Sequence, residues 1–104
     1  MTYQPYRFTP LGFSSTVFGT ASAATLPLPT GVTETQVKLA QVYVGGAAIN
    51  YRDDGTAPIV TTAGTAGYPV AVGVTISYDG LVSKFQAIPQ VASGTATLSI
   101  LYYG

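Results

Sequence analysis

The chain has 104 residues, enough for a single compact domain, and 47% of them are apolar whereas only 8% are charged. Two Lys and two Arg are too few to neutralise the phosphates of a nucleic acid, so no nucleic-acid partner is predicted. Because the chain contains neither Cys nor His, it has no disulfide, thiol nucleophile or imidazole base and lacks the usual zinc and haem ligands.

Residues 1–31 predict an extended N-terminal arm. Four of the seven prolines fall in this region, at Pro5, Pro10, Pro27 and Pro29, and proline cannot donate a hydrogen bond inside a central strand. One strand is predicted within the arm, at Phe13–Phe18. The opening residues show no apolar stretch behind a basic start, and no apolar run is long enough to span a bilayer. We therefore expect a protein made in the cytoplasm, with no membrane partner.

From residue 32 onward, alternating apolar and polar residues predict a series of strands. The clearest is Thr35–Val44, and the glycine pair Gly45-Gly46 that follows it indicates a hairpin or a bulge. The other predicted strands are Ala47–Arg52, Ile59–Thr62, Val70–Val74 running into Thr75–Tyr78, Leu81–Ile88 and Thr95–Tyr103. Roughly seven or eight short strands separated by turns are typical of an all-β sandwich. We predict a single β-sandwich or jelly-roll-like domain over residues 32–104.

Three of the eight charged residues are adjacent, at Arg52, Asp53 and Asp54. Together with Asp79, the two aspartates suggest a calcium site or an acid–base pair, but neighbouring residues of an extended strand point to opposite faces. Asp-Gly is also a strong turn signal, because Gly adopts a positive φ and Asp bonds to nearby backbone. We therefore predict structural turns and no metal or other cofactor. The turn residues are Arg52, Asp53, Asp54, Gly55, Asp79 and Gly80.

Catalytic motifs are not found. The Ser and Thr hydroxyls have no His to act as a base, and Lys38 and Lys84 lie in alternating runs without a Ser-x-x-Lys spacing. Gly45-Gly46 is not followed by a lysine or a helix that would form a phosphate-binding loop. The sequence therefore predicts that the protein is not an enzyme.

The eight tyrosines have two interpretations. Tyr combines a flat apolar ring with a polar tip, which suits a sugar-binding platform, but it is also common at subunit interfaces. A surface with so few charges favours self-association, and this supports the interface interpretation. The candidate interface residues, near the two chain ends, are Tyr3, Tyr6, Arg7, Phe8, Tyr102 and Tyr103.

Four segments occur in a characteristic order. They are Y-R-D-D-G-T-A-P at Tyr51–Pro58, G-Y-P at Gly67–Pro69, Y-D-G-L-V-S-K-F-Q-A-I at Tyr78–Ile88 and S-G-T-A-T-L-S-I-L-Y-Y at Ser93–Tyr103. In this order, over roughly the last two-thirds of the chain, the sequence resembles small virion proteins of tailed bacteriophages. Residues 1–31 depart from the shared pattern.

This resemblance implies a small β-sandwich or jelly-roll unit with a structural role and no catalytic residues. It implies a capsid decoration (cement) protein on the capsid surface of the virion, with the major capsid protein as partner and a homotrimer as the oligomeric state. A head-fibre, collar or tail component is the alternative position. A carbohydrate-binding adhesin module on the same fold is an alternative of another functional class.

Overall fold

The computed structural model describes residues 8–62 and 67–104. It contains seven strands: β1 (Pro10–Phe18), β2 (Leu39–Gly45), β3 (Ile49–Arg52), β4 (Tyr68–Val70), β5 (Thr75–Tyr78), β6 (Gln86–Pro89) and β7 (Ala96–Tyr103). All strand pairs are antiparallel and form two sheets, one with the order β1-β7-β2-β5 and one with the order β4-β3-β6. The two sheets pack together around one apolar core, which confirms the predicted β-sandwich.

Strand β7 organises the four-stranded sheet, because it pairs with β1 on one side and with β2 on the other. Its side chains alternate between core and exterior as the sequence predicts. The inward residues are Ala96, Leu98, Ile100 and Tyr102, and the outward ones are Thr97, Ser99, Leu101 and Tyr103. Strand β2 follows the same period and buries Ala40, Val42 and Val44. This alternation gives the sheet one core face and one outer face.

The three-stranded sheet is covered on both faces. Ile49 of β3 and Ala87 of β6 face the core between the sheets. Asn50, which lies between two inward residues of β3, is also buried, and its side-chain amide donates to the carbonyls of Ile59 (3.0 Å) and Thr61 (2.8 Å). Since successive strand residues point to opposite faces, the chain after β3 folds over the outer face of this sheet.

Two predicted strands begin four or five residues later in the structure, each after a 3-10 turn, whereas Ala47–Arg52 and Thr95–Tyr103 begin one or two residues later. A 3-10 turn at Glu34–Gln36 precedes β2, and the Gln36 side chain accepts a hydrogen bond from the Thr33 backbone N–H at 2.8 Å. This capping arrangement bends the chain, so the strand begins at Leu39 and not at Thr35. Similarly, a 3-10 turn at Val82–Lys84 delays the start of β6 to Gln86.

The glycine pair after β2 does not close a hairpin. Strands β2 and β3 belong to different sheets, so this connection carries the chain across the sandwich. Gly46 has a φ of 78°, and a Cβ built there would lie 2.8 Å from the Thr95 carbonyl oxygen. The position therefore requires glycine both for its backbone conformation and for its close approach to a neighbouring segment.

Part of the predicted N-terminal arm packs on the sandwich. Strand β1 contains the predicted strand Phe13–Phe18 and forms one edge of the four-stranded sheet. Further along, Ala24 pairs with Ala87 of the other sheet, and Leu26 is buried. The remaining part of the arm, Met1–Arg7, lies outside the described residues. None of the helical segments in the described parts of the chain is long and apolar enough to cross a membrane.

Candidate functional site

The two acidic turns meet at one end of the sandwich, where they line a cleft of about 650 Å³. We call this cavity the acidic cleft. It is lined by Tyr51, Arg52, Asp53, Asp54, Gly67, Tyr68, Ser77, Tyr78, Asp79 and Gly80. These residues come from the end of β3, the start of β4 and the end of β5, so both sheets contribute to the cleft.

The turn predicted at Arg52–Gly55 is a bend that begins a long connection between β3 and β4. It is therefore not the corner of a tight hairpin. Gly55 has a φ of 88°, which explains why glycine follows the aspartates. The predicted strand Ile59–Thr62 lies within this connection and forms no strand; the Ile59 and Thr61 carbonyls accept hydrogen bonds from the Asn50 side chain.

An ion pair between Arg52 and Asp54 holds this bend. The Arg52 Nε donates to Asp54 Oδ1 at 3.0 Å, and the guanidinium makes a second, short contact with Oδ2. Asp54 Oδ1 also accepts a hydrogen bond from the Thr56 backbone N–H at 3.2 Å. The hydrogen bond from Arg52, followed by that from Thr56, lowers the pKa of Asp54 from 3.8 to about 2.

Replacing Arg52 by Gln should raise the pKa of Asp54 from about 2 towards its ordinary value of 3.8. The folded-state pKa is depressed, so whatever stability the pair contributes is present above pH 3.8 and is lost as the pH falls through about 2. An NMR titration of the carboxyl carbons measures this shift. Lys38→Gln is the control and should leave the Asp54 titration unchanged; an equal shift in both variants would contradict the local ion pair.

Asp53 and Asp79 complete the acidic lining but form no ion pair within the described residues. Asp53 lies close to the Tyr78 phenol, whose hydroxyl donates to the Leu81 carbonyl at 3.0 Å. Burial, followed by the charge of Asp53, raises the pKa of Tyr78 to about 12. Burial and the same carboxylate also raise the pKa of Tyr51. Both phenols therefore stay protonated at neutral pH.

An aromatic cluster forms the wall of the cleft. Tyr51 stacks on Phe85 with ring centroids 4.8 Å apart, and Tyr78 contacts the same Phe85 edge-on at 5.2 Å. The rings of Tyr68 and Tyr51 are in contact, with centroids 5.5 Å apart and an interplanar angle of 51°, yet Tyr68 is 66% exposed. The cleft therefore has a buried aromatic base and one exposed tyrosine ring at its rim.

The three aspartates share one cleft, but their carboxylates are not gathered at one point. Within residues 8–62 and 67–104, no group of three or more acidic side chains comes close enough together to hold a metal ion. The acid–base interpretation of Asp53 and Asp54 also lacks support, because Asp54 is held by Arg52. What the cleft offers chemically is negative charge beside tyrosine rings.

The candidate interface residues fall into three groups. Tyr3, Tyr6 and Arg7 lie outside the described residues. Phe8 is exposed and Tyr103 is half-buried at the end of β7. Tyr102 is buried in the core, where its hydroxyl donates to the Pro27 carbonyl at 2.5 Å, so it presents no side-chain surface to a partner.

A larger surface, not identified from the sequence, is the outer face of the four-stranded sheet. We call it the neutral face. Its outward side chains are Phe13, Ser15 and Val17 of β1, Thr97, Ser99 and Leu101 of β7, Gln41 and Tyr43 of β2, and Thr75 and Ser77 of β5. None of these residues is charged, and Phe13, Val17, Tyr43 and Leu101 are exposed apolar side chains. Ser77 also lines the acidic cleft, so the two surfaces adjoin.

Comparison of the chain with protein-family models, with curated proteins and with solved structures gives no match. The features that bear on function are therefore the neutral face, the acidic cleft and the resemblance of the sequence to small phage virion proteins.

Proposed function

We propose that this protein is a structural component of a tailed-bacteriophage virion that decorates and stabilises the capsid by bridging major capsid subunits. The observation that carries the proposal is the neutral face, a sheet surface without charged side chains. The resemblance of roughly the last two-thirds of the chain to small phage virion proteins supports it. In this proposal the partners are the major capsid protein and further copies of the chain, assembled as a homotrimer on the capsid surface.

The composition of the neutral face suits a protein–protein contact. Phe13 and Leu101 are direct cross-strand neighbours, and the row continues into Gln41 of β2. The next row places Tyr43 beside Ser99. Exposed apolar side chains among uncharged hydroxyls can be buried without desolvating any ion, which is the property of the central part of an interface.

Placement of charge elsewhere in the chain supports the same interpretation. Of the charged residues in the described regions, Arg52, Asp53, Asp54 and Asp79 gather in the acidic cleft. Glu34 and Lys84 lie in the two 3-10 turns, where the Glu34 carboxylate accepts a hydrogen bond from the Ser83 backbone N–H at 2.6 Å. Lys38, the remaining charged residue of these regions, directly precedes β2. A charge-free sheet face favours association, and we propose that assembly into the virion covers this face.

Substituting Phe13 by Lys tests the proposal, because it places a charge in the neutral face. Phe13 is 57% exposed, so the monomer should lose no more than about 1 kcal/mol of stability. We expect light scattering over a dilution series to show a trimer for the wild type and a monomer for Phe13→Lys. Binding to capsids assembled from the major capsid protein, measured by co-sedimentation, should be lost in parallel.

Ile59→Lys provides a matched control, since Ile59 is 63% exposed but lies in the connection over the other sheet. It should behave as the wild type in both measurements. A wild-type chain that stays monomeric would contradict the homotrimer, and a wild-type chain that does not sediment with capsids would contradict decoration. Equal loss of trimer formation and capsid binding in both variants would contradict a specific role of the neutral face.

A further inference from the structure

We propose that the acidic cleft binds the guanidinium group of an arginine carried by a partner chain. The identification of that partner as a neighbour in the virion rests on the proposed function above, whereas binding of a guanidinium by the cleft does not. The argument uses charge, the aromatic wall and an adjoining apolar recess.

The first step is charge. The cleft contains four of the eight charged residues of the chain. Its three carboxylates and one guanidinium together give a net charge of −2. Because Arg52 is paired with Asp54, the excess lies on Asp53 and Asp79, which have no ion-pair partner in the described parts of the chain. In a molecule with so little charge elsewhere, this excess favours a cationic ligand.

The aromatic wall adds a second preference. The exposed ring of Tyr68 lines the cleft together with Asp53 and Asp79, and it contacts the Tyr51 ring at a centroid distance of 5.5 Å. A cation is attracted to the face of a tyrosine ring, and arginine makes such contacts more often than lysine. A planar guanidinium can stack on Tyr68 and still donate hydrogen bonds to a carboxylate, whereas an ammonium group has no flat face.

The cleft already accommodates one guanidinium. Arg52 lines it and pairs with Asp54, so a guanidinium–carboxylate pair already occurs among the residues that line the cleft. Asp79 enters from the other sheet, on the turn after β5. An incoming guanidinium would therefore lie between Asp53 and Asp79 and contact both sheets.

An apolar recess of about 380 Å³ adjoins the cleft and shares Tyr51 and Tyr68 with it. The other residues that line this recess are Pro69, Val70, Ala71, Val74, Thr75 and Ile76. A free organic cation would leave the recess unused, whereas a polypeptide segment can place an apolar side chain there and an arginine in the cleft. This arrangement favours a segment of a partner protein over a small molecule.

The test is a titration of the purified protein with N-acetyl-arginine amide, followed by amide chemical shifts in NMR. N-acetyl-lysine amide and a neutral disaccharide serve as comparison ligands. We expect saturable shifts at the cleft residues with the arginine probe and binding roughly tenfold weaker in Asp53→Asn/Asp79→Asn. Lysine should bind more weakly than arginine, and added salt should weaken both.

Glu34→Gln is the control, because it removes a carboxylate that lies outside the cleft lining, and this variant should bind the arginine probe as the wild type does. Tyr68→Ala provides a second variant, which leaves the charges in place and should weaken the binding of arginine more than the binding of lysine.

No shift at the cleft with the arginine probe would overturn the proposal. Preferential binding of the disaccharide would also overturn it and favour the carbohydrate-binding alternative. Since the probe is small and the protein is free, these outcomes do not depend on virion assembly.

Discussion

Replacing Phe85 by Ala is expected to lower the free energy of unfolding by about 3–5 kcal/mol. Phe85 is completely buried at the entry to β6 and contacts both Tyr51 and Tyr78 through its ring. Its removal eliminates buried apolar surface and leaves a cavity that the surrounding strands can fill only in part. Thermal unfolding followed by circular dichroism measures the change.

The Phe85 variant also links the core to the acidic cleft. Tyr51 and Tyr78, which line the cleft, both rest on this ring, so guanidinium binding should weaken together with stability. Phe85→Leu keeps most of the volume and should cost less than the alanine variant. Val72→Ala, at an exposed turn between β4 and β5, should change stability by less than about 0.5 kcal/mol. A loss of stability in Phe85→Ala as small as that in Val72→Ala would contradict the position of Phe85 in the core.

The alternation of side chains made the four-stranded sheet largely predictable. In β7, every second residue is apolar and turns inward, and no competing signal interrupts the run. The start of β2 was not predicted correctly, because Thr33 and Gln36 form a local cap that overrides the alternating pattern. Local hydrogen bonding between polar side chains and backbone is difficult to infer from apolar periodicity alone.

Pairing between strands was less accessible from the sequence. The pair Gly45-Gly46 has the composition of a hairpin turn, but close contact between the chain there and Thr95 is what demands Gly46. The prediction treated the connection as local, whereas the structure uses it to pass from one sheet to the other. A glycine that admits a distant backbone segment has the same appearance in sequence as one that makes a turn.

The acidic cleft was only partly predictable. Grouping Asp79 with Asp53 and Asp54 was considered from the sequence, and the structure places all three in one cavity. Strand alternation argued against convergence, but it no longer applies once the chain leaves β3 after Arg52. Tyr68 reaches the cleft because β4 pairs with β3, where Tyr51 is its direct neighbour. No local sequence pattern predicts that pairing.

Asn50 gives the second large expected effect. Its side-chain amide is fully buried and donates two hydrogen bonds to the connection between β3 and β4, which begins with the acidic bend. Asn50→Leu removes both donors and leaves the Ile59 and Thr61 carbonyls without these partners. At about 0.5–1.5 kcal/mol for each hydrogen bond, we expect a loss of roughly 1–3 kcal/mol in unfolding free energy.

Asn50→Asp separates the loss of these hydrogen bonds from a simple change of shape. An ionised carboxylate cannot donate to the two carbonyls, and burial disfavours its charge, so its folded-state pKa should lie above the unfolded value of about 3.9. Stability of this variant should therefore increase relative to the wild type as the pH falls from 7 towards about 4, because the protonated acid regains one donor. Asn50→Leu should show no such gain. The same pH dependence of stability in both variants would contradict a role of the Asn50 hydrogen bonds in fixing the connection between β3 and β4. The position of the acidic bend would then have to depend on the Arg52–Asp54 ion pair.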